Sequence, residues 1–230
     1  MQLDGILFDK DGTLFDFART WNSWAGELIA ETCRGEPERA ERLAAALRYD
    51  LGAQAFRPDS PVIAGTNREA AELAVSALPE WTVEDMEVHL MESAARLVQV
   101  PATDLAPLLE ALRRAGLKLG VMTNDTEYAA RAHLDQAGVT EFFDMVIGFD
   151  SGYGAKPDPE PLLAFATAQG LAPERVAMVG DSTHDLIAGR AAGMVCIAVL
   201  TGTALEHELA PFADHVFPDI GHLTGWLAAA

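Results

Sequence analysis

The chain has 230 residues, half of them hydrophobic and 22% charged, so it is a globular protein long enough to bury a substantial core. Sixteen basic against 35 acidic residues give a net charge of −19, which disfavours nucleic acids and acidic membranes as partners. Cys33 and Cys196 form no disulfide or zinc pattern. The first residues do not resemble a signal peptide, and the uncharged stretch Ala191–Leu205 is too short to span a bilayer, so we expect a cytoplasmic protein.

Short apolar runs alternate with helical patterns over most of the chain. The runs are rich in Val, Ile, Leu and Phe and predict five buried strands: Gly5–Phe8, Leu117–Met122, Met145–Phe149, Val176–Val179 and Val195–Leu200. The segments between them predict helices that each end within two residues of a glycine: Asp104–Arg114, Thr126–Gln136, Glu160–Gln169 and Thr183–Ala192. This alternation predicts an α/β fold with a doubly wound parallel sheet.

The alternation is interrupted between about Phe17 and Val98, where no strand is predicted. Four amphipathic patterns predict helices there: Trp21–Cys33, Pro37–Leu51, Asn67–Ala77 and Val83–Leu97. We therefore expect an all-helical insert between the first and second strands of the sheet.

Pairs of carboxylates follow the first and fourth predicted strands. Asp9 and Asp11, followed by Gly12, come directly after the first strand, where ligands bind in open α/β sheets. Asp181 and Asp185 flank the turn from the fourth strand into a helix. The alternatives are an acidic turn at the first pair and ordinary helix capping at the second.

A hydroxyl and a lysine follow the second and third predicted strands. Thr123 and Asn124 lie where the second strand ends, and helix capping is the ordinary explanation for them. Lys156 stands in a proline-containing loop after the third strand, where a solvated lysine is the ordinary expectation. Because parallel strands end at one edge of a sheet, all four groups should converge. Carboxylates bind hard cations such as Mg²⁺, and hydroxyl and ammonium groups bind phosphate, so the set predicts phosphoryl transfer.

This constellation resembles the haloacid dehalogenase superfamily, and within it the Mg²⁺-dependent phosphatases of the phosphoglycolate-phosphatase-like branch. The family's four motifs are matched in order by Asp9–Thr13, by Thr123 after its strand, by Lys156–Pro157 and by Gly180–Asp185. The resemblance implies a Rossmann-like core, formed by residues 1–16 and 99–230, and a helical cap, formed by residues 17–98. It also implies an enzyme that hydrolyses a small phosphorylated metabolite.

The resemblance further implies a role for each motif residue. Asp9 would attack phosphorus to form an aspartyl-phosphate, and Asp11 would act as general acid and then general base. Mg²⁺ would be held by the Asp9 carboxylate, the Asp11 backbone carbonyl and Asp181, while Asp185 would orient waters or neighbouring groups. The phosphate would be bound by Gly12, Thr123, the Asn124 N–H and Lys156.

Several other activities, within and outside the superfamily, share part of this motif pattern. A sugar-phosphate mutase would keep all four motifs, so only a substrate test separates it. A dehalogenase would lack Asp11, and a phosphonate hydrolase would need a cap lysine, which residues 17–98 do not contain. A receiver-type signalling module would be shorter, and a non-catalytic phosphate-binding protein would not need Asp11. Candidate substrates are phosphoglycolate, other small phosphorylated acids, sugar phosphates and nucleoside monophosphates.

Some residues near the motifs have no assigned role. In the cap, Trp21, Trp24, Arg57, Thr66, Asn67 and Arg68 could face the substrate, although core packing or solvent exposure is the ordinary role of such residues. Lys10 stands where many relatives carry an apolar or aromatic residue, and no mechanism is attached to it. For His184, local packing or capping is the expected role.

Overall fold

The computed structural model describes residues 3–229 and contains a six-stranded, fully parallel sheet. The strands are β1 (Gly5–Phe8), β4 (Lys118–Met122), β5 (Met145–Ile147), β6 (Val176–Gly180), β7 (Val195–Val199) and β8 (His215–Phe217), and a separate pair, β2 (Tyr49–Asp50) and β3 (Ala55–Phe56), lies in the insert. The order of the six strands in the sheet is β5-β4-β1-β6-β7-β8. The buried strand β1 lies between β4 and β6 and pairs with both in parallel register. The first motif therefore begins at the centre of the sheet.

Ten α-helices surround or interrupt this sheet in the described chain. They are α1 (Phe17–Thr32), α2 (Pro37–Ala46), α3 (Asn67–Ala77), α4 (Val83–Ala95), α5 (Leu105–Arg114), α6 (Glu127–Gln136), α7 (Glu160–Gln169), α8 (Thr183–Ala191), α9 (Glu206–Leu209) and α10 (Leu223–Ala229). Several begin at a side-chain cap: the Asp16 carboxylate accepts the Arg19 N–H at 2.9 Å and starts α1 four residues before the predicted helix.

Both faces of the sheet are buried against helices. Alternate strand residues such as Ile6 and Phe8 pack with α5, α6 and α10 on one side. The intervening residues, such as Leu7 and Met178, pack with α7 and α8 on the other side. Since burial on both faces selects continuous apolar strands, this packing explains why the strands were visible as short hydrophobic runs.

The segment between α1 and α4 builds its own hydrophobic cluster. The buried members of this cluster all lie between Ala25 and Leu90. The prediction that the insert contains no strand is wrong in one place: β2 (Tyr49–Asp50) and β3 (Ala55–Phe56) form an antiparallel hairpin. The predicted helix Pro37–Leu51 accordingly ends at Ala46, because Arg48 adopts a left-handed conformation with φ of 51°. Strands of two residues are too short to show a period in the sequence.

The two connections between the insert and the sheet run side by side. The Asp16 N–H donates to the Val100 carbonyl at 2.8 Å, and the Ala102 N–H donates to the Leu14 carbonyl at 2.9 Å. Phe15 and Pro101 form an isolated antiparallel bridge between these connections. Both connections thus lie beside the carboxyl end of β1, which places the insert over the motif edge of the sheet.

The predicted fold class is confirmed, with small differences at the element ends. The five predicted strands are all present, and their bounds differ by at most two residues from the predicted ones. The edge strand β8 was missed because it has three residues, all only half-buried, and therefore lacks a strong apolar signal. Within residues 3–229, no helix is both long and apolar enough to cross a membrane.

Candidate active site

The structure brings the four sequence motifs together at one edge of the sheet. Asp9 follows β1, Thr123 follows β4 and Asp181 follows β6, and each of these side chains is almost completely buried. Lys156 reaches the same place from the long loop between β5 and α7. All four line one cavity, which is closed on the opposite side by residues of the insert.

Lys156 is bound by three acceptors at the centre of the site. Its Nζ atom lies 2.6 Å from Asp9 Oδ1, 2.6 Å from Asp185 Oδ1 and 3.0 Å from the Met122 carbonyl oxygen. Burial by itself lowers the pKa of this lysine, but Asp185 and Asp9 outweigh it, so the pKa is raised. Lys156 is therefore a permanent cation that fixes the orientation of the Asp9 carboxylate.

Asp181 occupies a space that two glycines leave open. A Cβ atom on Gly12, whose φ is 85°, would lie 2.3 Å from Asp181 Oδ2, and one on Gly202 would lie 1.6 Å from the same oxygen. The Thr201 hydroxyl donates to the Gly12 carbonyl at 2.6 Å and joins the loops that carry these glycines. Any larger residue at either position would clash with the Asp181 carboxylate.

The donor set fits a divalent cation. Asp9, Asp181 and Asp185 each offer an oxygen, and these oxygens lie within 4.8 Å of one another. Among the described residues, Lys156 is the one cation that contacts this cluster, so the negative charge is not balanced. Burial, together with the neighbouring aspartates, raises the pKa of Asp9 to about 7 and that of Asp181 well above its usual value. A bound hard cation would balance this negative charge, because such a cation requires oxygen ligands and an excess of negative charge.

Asp185 combines a structural role with its contact to Lys156. Its Oδ2 atom accepts the Ser182 N–H at 3.0 Å and the Ser182 hydroxyl at 2.7 Å, which forms a capping box at the start of α8. Its other oxygen binds Lys156. Helix capping, the alternative considered for this motif, is therefore present together with the acidic cluster.

The Asp11 carboxylate contacts both the insert and the core. Its Oδ1 atom accepts the Trp21 Nε1–H from α1 at 2.8 Å, and its Oδ2 atom lies 2.6 Å from Lys10 Nζ. Gln99 Nε2 lies 3.4 Å from Asp11 Oδ1. The carboxylate is thus held between a core lysine and a cap tryptophan.

Lys10, to which the sequence assigned no role, is completely buried among these groups. Its Nζ atom lies 3.2 Å from Asp125 Oδ2 and 3.0 Å from His133 Nδ1, and 5.4 Å from the Trp21 ring centroid. Because His133 Nε2 donates to the Ala94 carbonyl at 2.8 Å, Nδ1 is the accepting nitrogen of a neutral ring. Burial first, and then Lys10, lower the pKa of His133 to about 4. The only sequence signal for this role of Lys10 was a lysine at a motif position where many relatives carry an apolar or aromatic residue.

Asn124 connects the core to the insert. Its Nδ2 atom donates to the Ala64 carbonyl and to the Lys156 carbonyl, both at 2.9 Å, and its Oδ1 atom accepts the Lys156 N–H at 2.9 Å. The Asn124 side chain therefore supports the Lys156 loop. The neighbouring Thr123 hydroxyl accepts the Asp125 N–H at 3.1 Å.

The insert residues singled out in the sequence divide into two groups. Trp21, Trp24, Thr66 and Asn67 line the cavity; the two tryptophans also pack on hydrophobic neighbours, and Thr66 and Asn67 also hydrogen-bond within the insert. Arg57 is exposed, and Arg68 pairs with glutamates of α3 and α4; neither lines the cavity. His184 also lines the cavity, on the sheet side.

Comparisons with known proteins agree with this geometry. Residues 3–193 match the family model of haloacid dehalogenase-like hydrolases. A phosphoglycolate phosphatase of Xylella fastidiosa is 34% identical over 198 residues, which cover 86% of this chain and 80% of the relative. One of Aquifex aeolicus is 30% identical over 200 residues, which cover 86% and 84%.

Solved structures show the same fold at lower identity. A HAD phosphatase from Thermococcus onnurineus aligns with a TM-score of 0.67 and 22% identity over 99% of this chain and 98% of the other. An L-2-haloacid dehalogenase from Xanthobacter autotrophicus aligns with a TM-score of 0.64 and 22% identity over 99% of each chain. The fold alone therefore does not separate phosphatase from dehalogenase. The sequence relatives support an enzyme with phosphatase activity, as predicted. The chain belongs to the family of haloacid dehalogenase-like hydrolases.

Proposed function

We propose that this protein is a Mg²⁺-dependent phosphomonoester hydrolase that forms an aspartyl-phosphate on Asp9. The observation that carries the proposal is the buried Asp9 carboxylate, held at 2.6 Å by Lys156 and open to the cavity beside Asp181. One Asp9 oxygen is fixed by Lys156, which leaves the other as the nucleophile for an in-line attack on phosphorus. Desolvation makes this oxygen a stronger nucleophile once it is deprotonated.

Asp11 is proposed as the proton donor and acceptor of the reaction. It gives a proton to the leaving alcohol when Asp9 displaces it, and it removes a proton from the water that hydrolyses the aspartyl-phosphate. Its contacts to Lys10 and Trp21 orient the carboxylate while leaving its side chain 15% exposed at the cavity. This orientation distinguishes the role of Asp11 from that of Asp9.

Asp9 and Asp181 are proposed to hold Mg²⁺, together with the Asp11 backbone carbonyl, and Asp185 is proposed to fix Lys156 beside them. When bound, the ion supplies positive charge that offsets the phosphate and the aspartates. Mg²⁺ rather than Ca²⁺ is proposed because a compact octahedral shell keeps the nucleophile in line. The proposal is supported by the buried, unbalanced charge of the cluster.

The phosphoryl oxygens are proposed to bind Thr123, the Asn124 N–H, the Gly12 loop and Lys156. In the described chain the Asn124 N–H has no hydrogen-bond acceptor, which supports this role. All three donors of Lys156 already have acceptors. A phosphate oxygen at Lys156 would therefore replace one of the carboxylate contacts.

Residues 17–98 are proposed as a cap domain over a catalytic core made of residues 1–16 and 99–230. The separate hydrophobic cluster of the insert and the paired connections beside β1 support this division. The cap would exclude water and contact the leaving group, as its position across the cavity suggests.

Phosphate release from 4-nitrophenyl phosphate with Mg²⁺ tests the proposal. Asp9→Asn should abolish turnover and keep the fold, since an amide is not a competent nucleophile. The matched control is Asp104→Asn, because Asp104 is exposed and its side chain makes no capping hydrogen bond to α5. Turnover by Asp9→Asn near the parental rate would contradict the assignment. Isomerisation of a sugar phosphate without net phosphate release would instead favour the mutase alternative.

A further inference from the structure

The cap side of the cavity is apolar and aromatic. This surface is formed by α1, the hairpin, the loop before α3, and helices α3 and α4. Apart from Gly65, Thr66 and Asn67, its residues are hydrophobic. The hydrophobic residues are Phe17, Trp21, Trp24, Phe56, Val62, Ile63, Ala64, Ala70, Leu90 and Ala94. This surface faces the acidic cluster across the cavity. In a hydrolase whose phosphoryl group is held at that cluster, the leaving group must contact this surface.

The polar side-chain donors on this surface are already used. Trp21 Nε1 donates to Asp11, and Trp24 Nε1 donates to the Ser93 hydroxyl at 3.0 Å. Asn67 Nδ2 donates to the Glu87 carbonyl at 3.0 Å, and the Thr66 hydroxyl caps α3 through Glu69. A polar group of the substrate would therefore find few free side-chain donors on the cap side.

Within residues 3–229, the cap places no cationic side chain on the wall of the cavity. Of the lining residues in the described chain, Lys156 and His184 are the basic ones, and both lie on the sheet side. Lys156 is fully bound to Asp9, Asp185 and a carbonyl. No cap arginine is among the lining residues of the described chain, and Arg39, Arg48 and Arg68 pair with acidic residues at the surface.

We infer that the substrate of this site is a phosphomonoester with an uncharged, largely apolar or aromatic leaving group, and not a phosphorylated carboxylic acid. The inference rests on the proposed phosphatase function and adds the substrate class. A second anion on the leaving group would lose its hydration against an apolar wall and face four lining aspartates, Asp9, Asp11, Asp125 and Asp181. A buried charge without a partner is strongly disfavoured, whereas an apolar group gains from burial on Trp and Phe side chains.

The direct test compares esters that differ in charge and polarity. The protein is assayed with Mg²⁺ on 2-phosphoglycolate, on its neutral amide 2-phosphoglycolamide and on benzyl phosphate. We expect kcat/KM for the amide to exceed that for the acid by about 10²-fold, the cost of one unpaired charge in a desolvated site. Benzyl phosphate should be better still.

A variant that supplies the missing cation tests the cause. Val62→Lys places an ammonium on the cap wall of the cavity, and Val88→Lys places one on the exposed face of α4, outside this cavity. Val62→Lys should raise kcat/KM for the acid relative to the amide about tenfold, and Val88→Lys should leave the ratio unchanged. An unchanged ratio in a folded Val62→Lys protein would overturn the electrostatic explanation.

Binding without turnover provides a second measurement. Trp21 and Trp24 line the cavity, so their fluorescence should report 2-phenylethylphosphonate, a carbon analogue of benzyl phosphate. It should bind more tightly than 3-phosphonopropionate, the matching analogue of phosphoglycolate. Equal or better hydrolysis and binding of the carboxylic acids would overturn this inference and leave the proposed phosphatase intact. Hydrolysis of none of the esters would overturn the phosphatase proposal, and this inference with it.

Discussion

Replacing the buried Lys10 by methionine should cost both stability and catalysis. The ammonium lies 2.6 Å from Asp11 Oδ2 and 3.2 Å from Asp125 Oδ2 and is completely buried. Burial by itself lowers the pKa of Lys10, but the two carboxylates outweigh it and raise the pKa. Methionine has a similar length but leaves both carboxylates without this cation. Removing one partner of such a buried pair costs about 3–5 kcal/mol, a large part of the roughly 5–15 kcal/mol that stabilises a typical protein.

The assay combines urea unfolding with kinetics on two esters. Asp11 should lose its orientation in Lys10→Met, so hydrolysis of an alkyl phosphate, which needs a proton on the leaving group, should fall about 10²-fold. Hydrolysis of 4-nitrophenyl phosphate should fall less, because 4-nitrophenolate leaves without a proton. The control is Lys118→Met, since Lys118 is half exposed and pairs with Asp144 at the surface, where a pair contributes about 0–1 kcal/mol. Equal unfolding free energies for the two variants, or equal losses on both esters, would refute this reasoning.

Three further predictions concern the metal site and the cap. Without metal, the pKa of Asp9 is raised to about 7 and that of Asp181 is also raised, so the folded state binds more protons than the unfolded state. After EDTA treatment, the Tm should therefore fall as the pH rises from about 4 to 8, and Mg²⁺ should restore it near pH 8. A Tm that does not depend on pH would contradict this prediction. Gly202→Ala should displace Asp181 and weaken Mg²⁺ binding about 10–100-fold, as measured by Mg²⁺-dependent Tm shifts, whereas Gly225→Ala, which meets open space, should not. Trp21→Phe removes the 2.8 Å hydrogen bond to Asp11 and should lower kcat on alkyl phosphates about tenfold, and no loss would show that the bond does not orient Asp11.

The sheet could be predicted from the sequence because its strands are buried on both faces. Continuous apolar runs then mark each strand, and glycine marks the ends of the intervening helices. The hairpin of β2 and β3 could not be predicted, since two-residue strands have no detectable period. The edge strand β8 was missed for a related reason: it has only three residues, and all of them are half-buried, so it shows no strong apolar pattern.

The convergence of the motif residues followed from one property of parallel sheets. Asp9, Thr123 and Asp181 each follow one of three adjacent strands, and because these strands are parallel, the three side chains lie at the same edge of the sheet. Lys10 shows what such reasoning lacks. Its partner His133 is 123 residues away in the chain, and a contact of that kind depends on how α6 packs against α4 and the sheet.

The cap surface required the tertiary structure for the same reason. Val62, Ile63 and Leu90 are ordinary hydrophobic residues in the sequence, and only the folded chain places them on one wall opposite Asp9. Of the tryptophans and arginines considered as substrate contacts in the sequence, Trp21 and Trp24 line the cavity, and Arg57 and Arg68 do not.

The central claim is that Asp9 carries the phosphoryl group during turnover. Asp11→Asn removes the group proposed to activate the hydrolytic water, so the aspartyl-phosphate should accumulate with 4-nitrophenyl phosphate, whose leaving group needs no acid. Acid quenching, proteolysis and mass spectrometry should then locate one phosphoryl group on the peptide that contains Asp9, formed in step with a burst of 4-nitrophenolate. The account would be contradicted by a burst that leaves the phosphoryl group on another residue. Steady turnover by Asp9→Asn would contradict it as well.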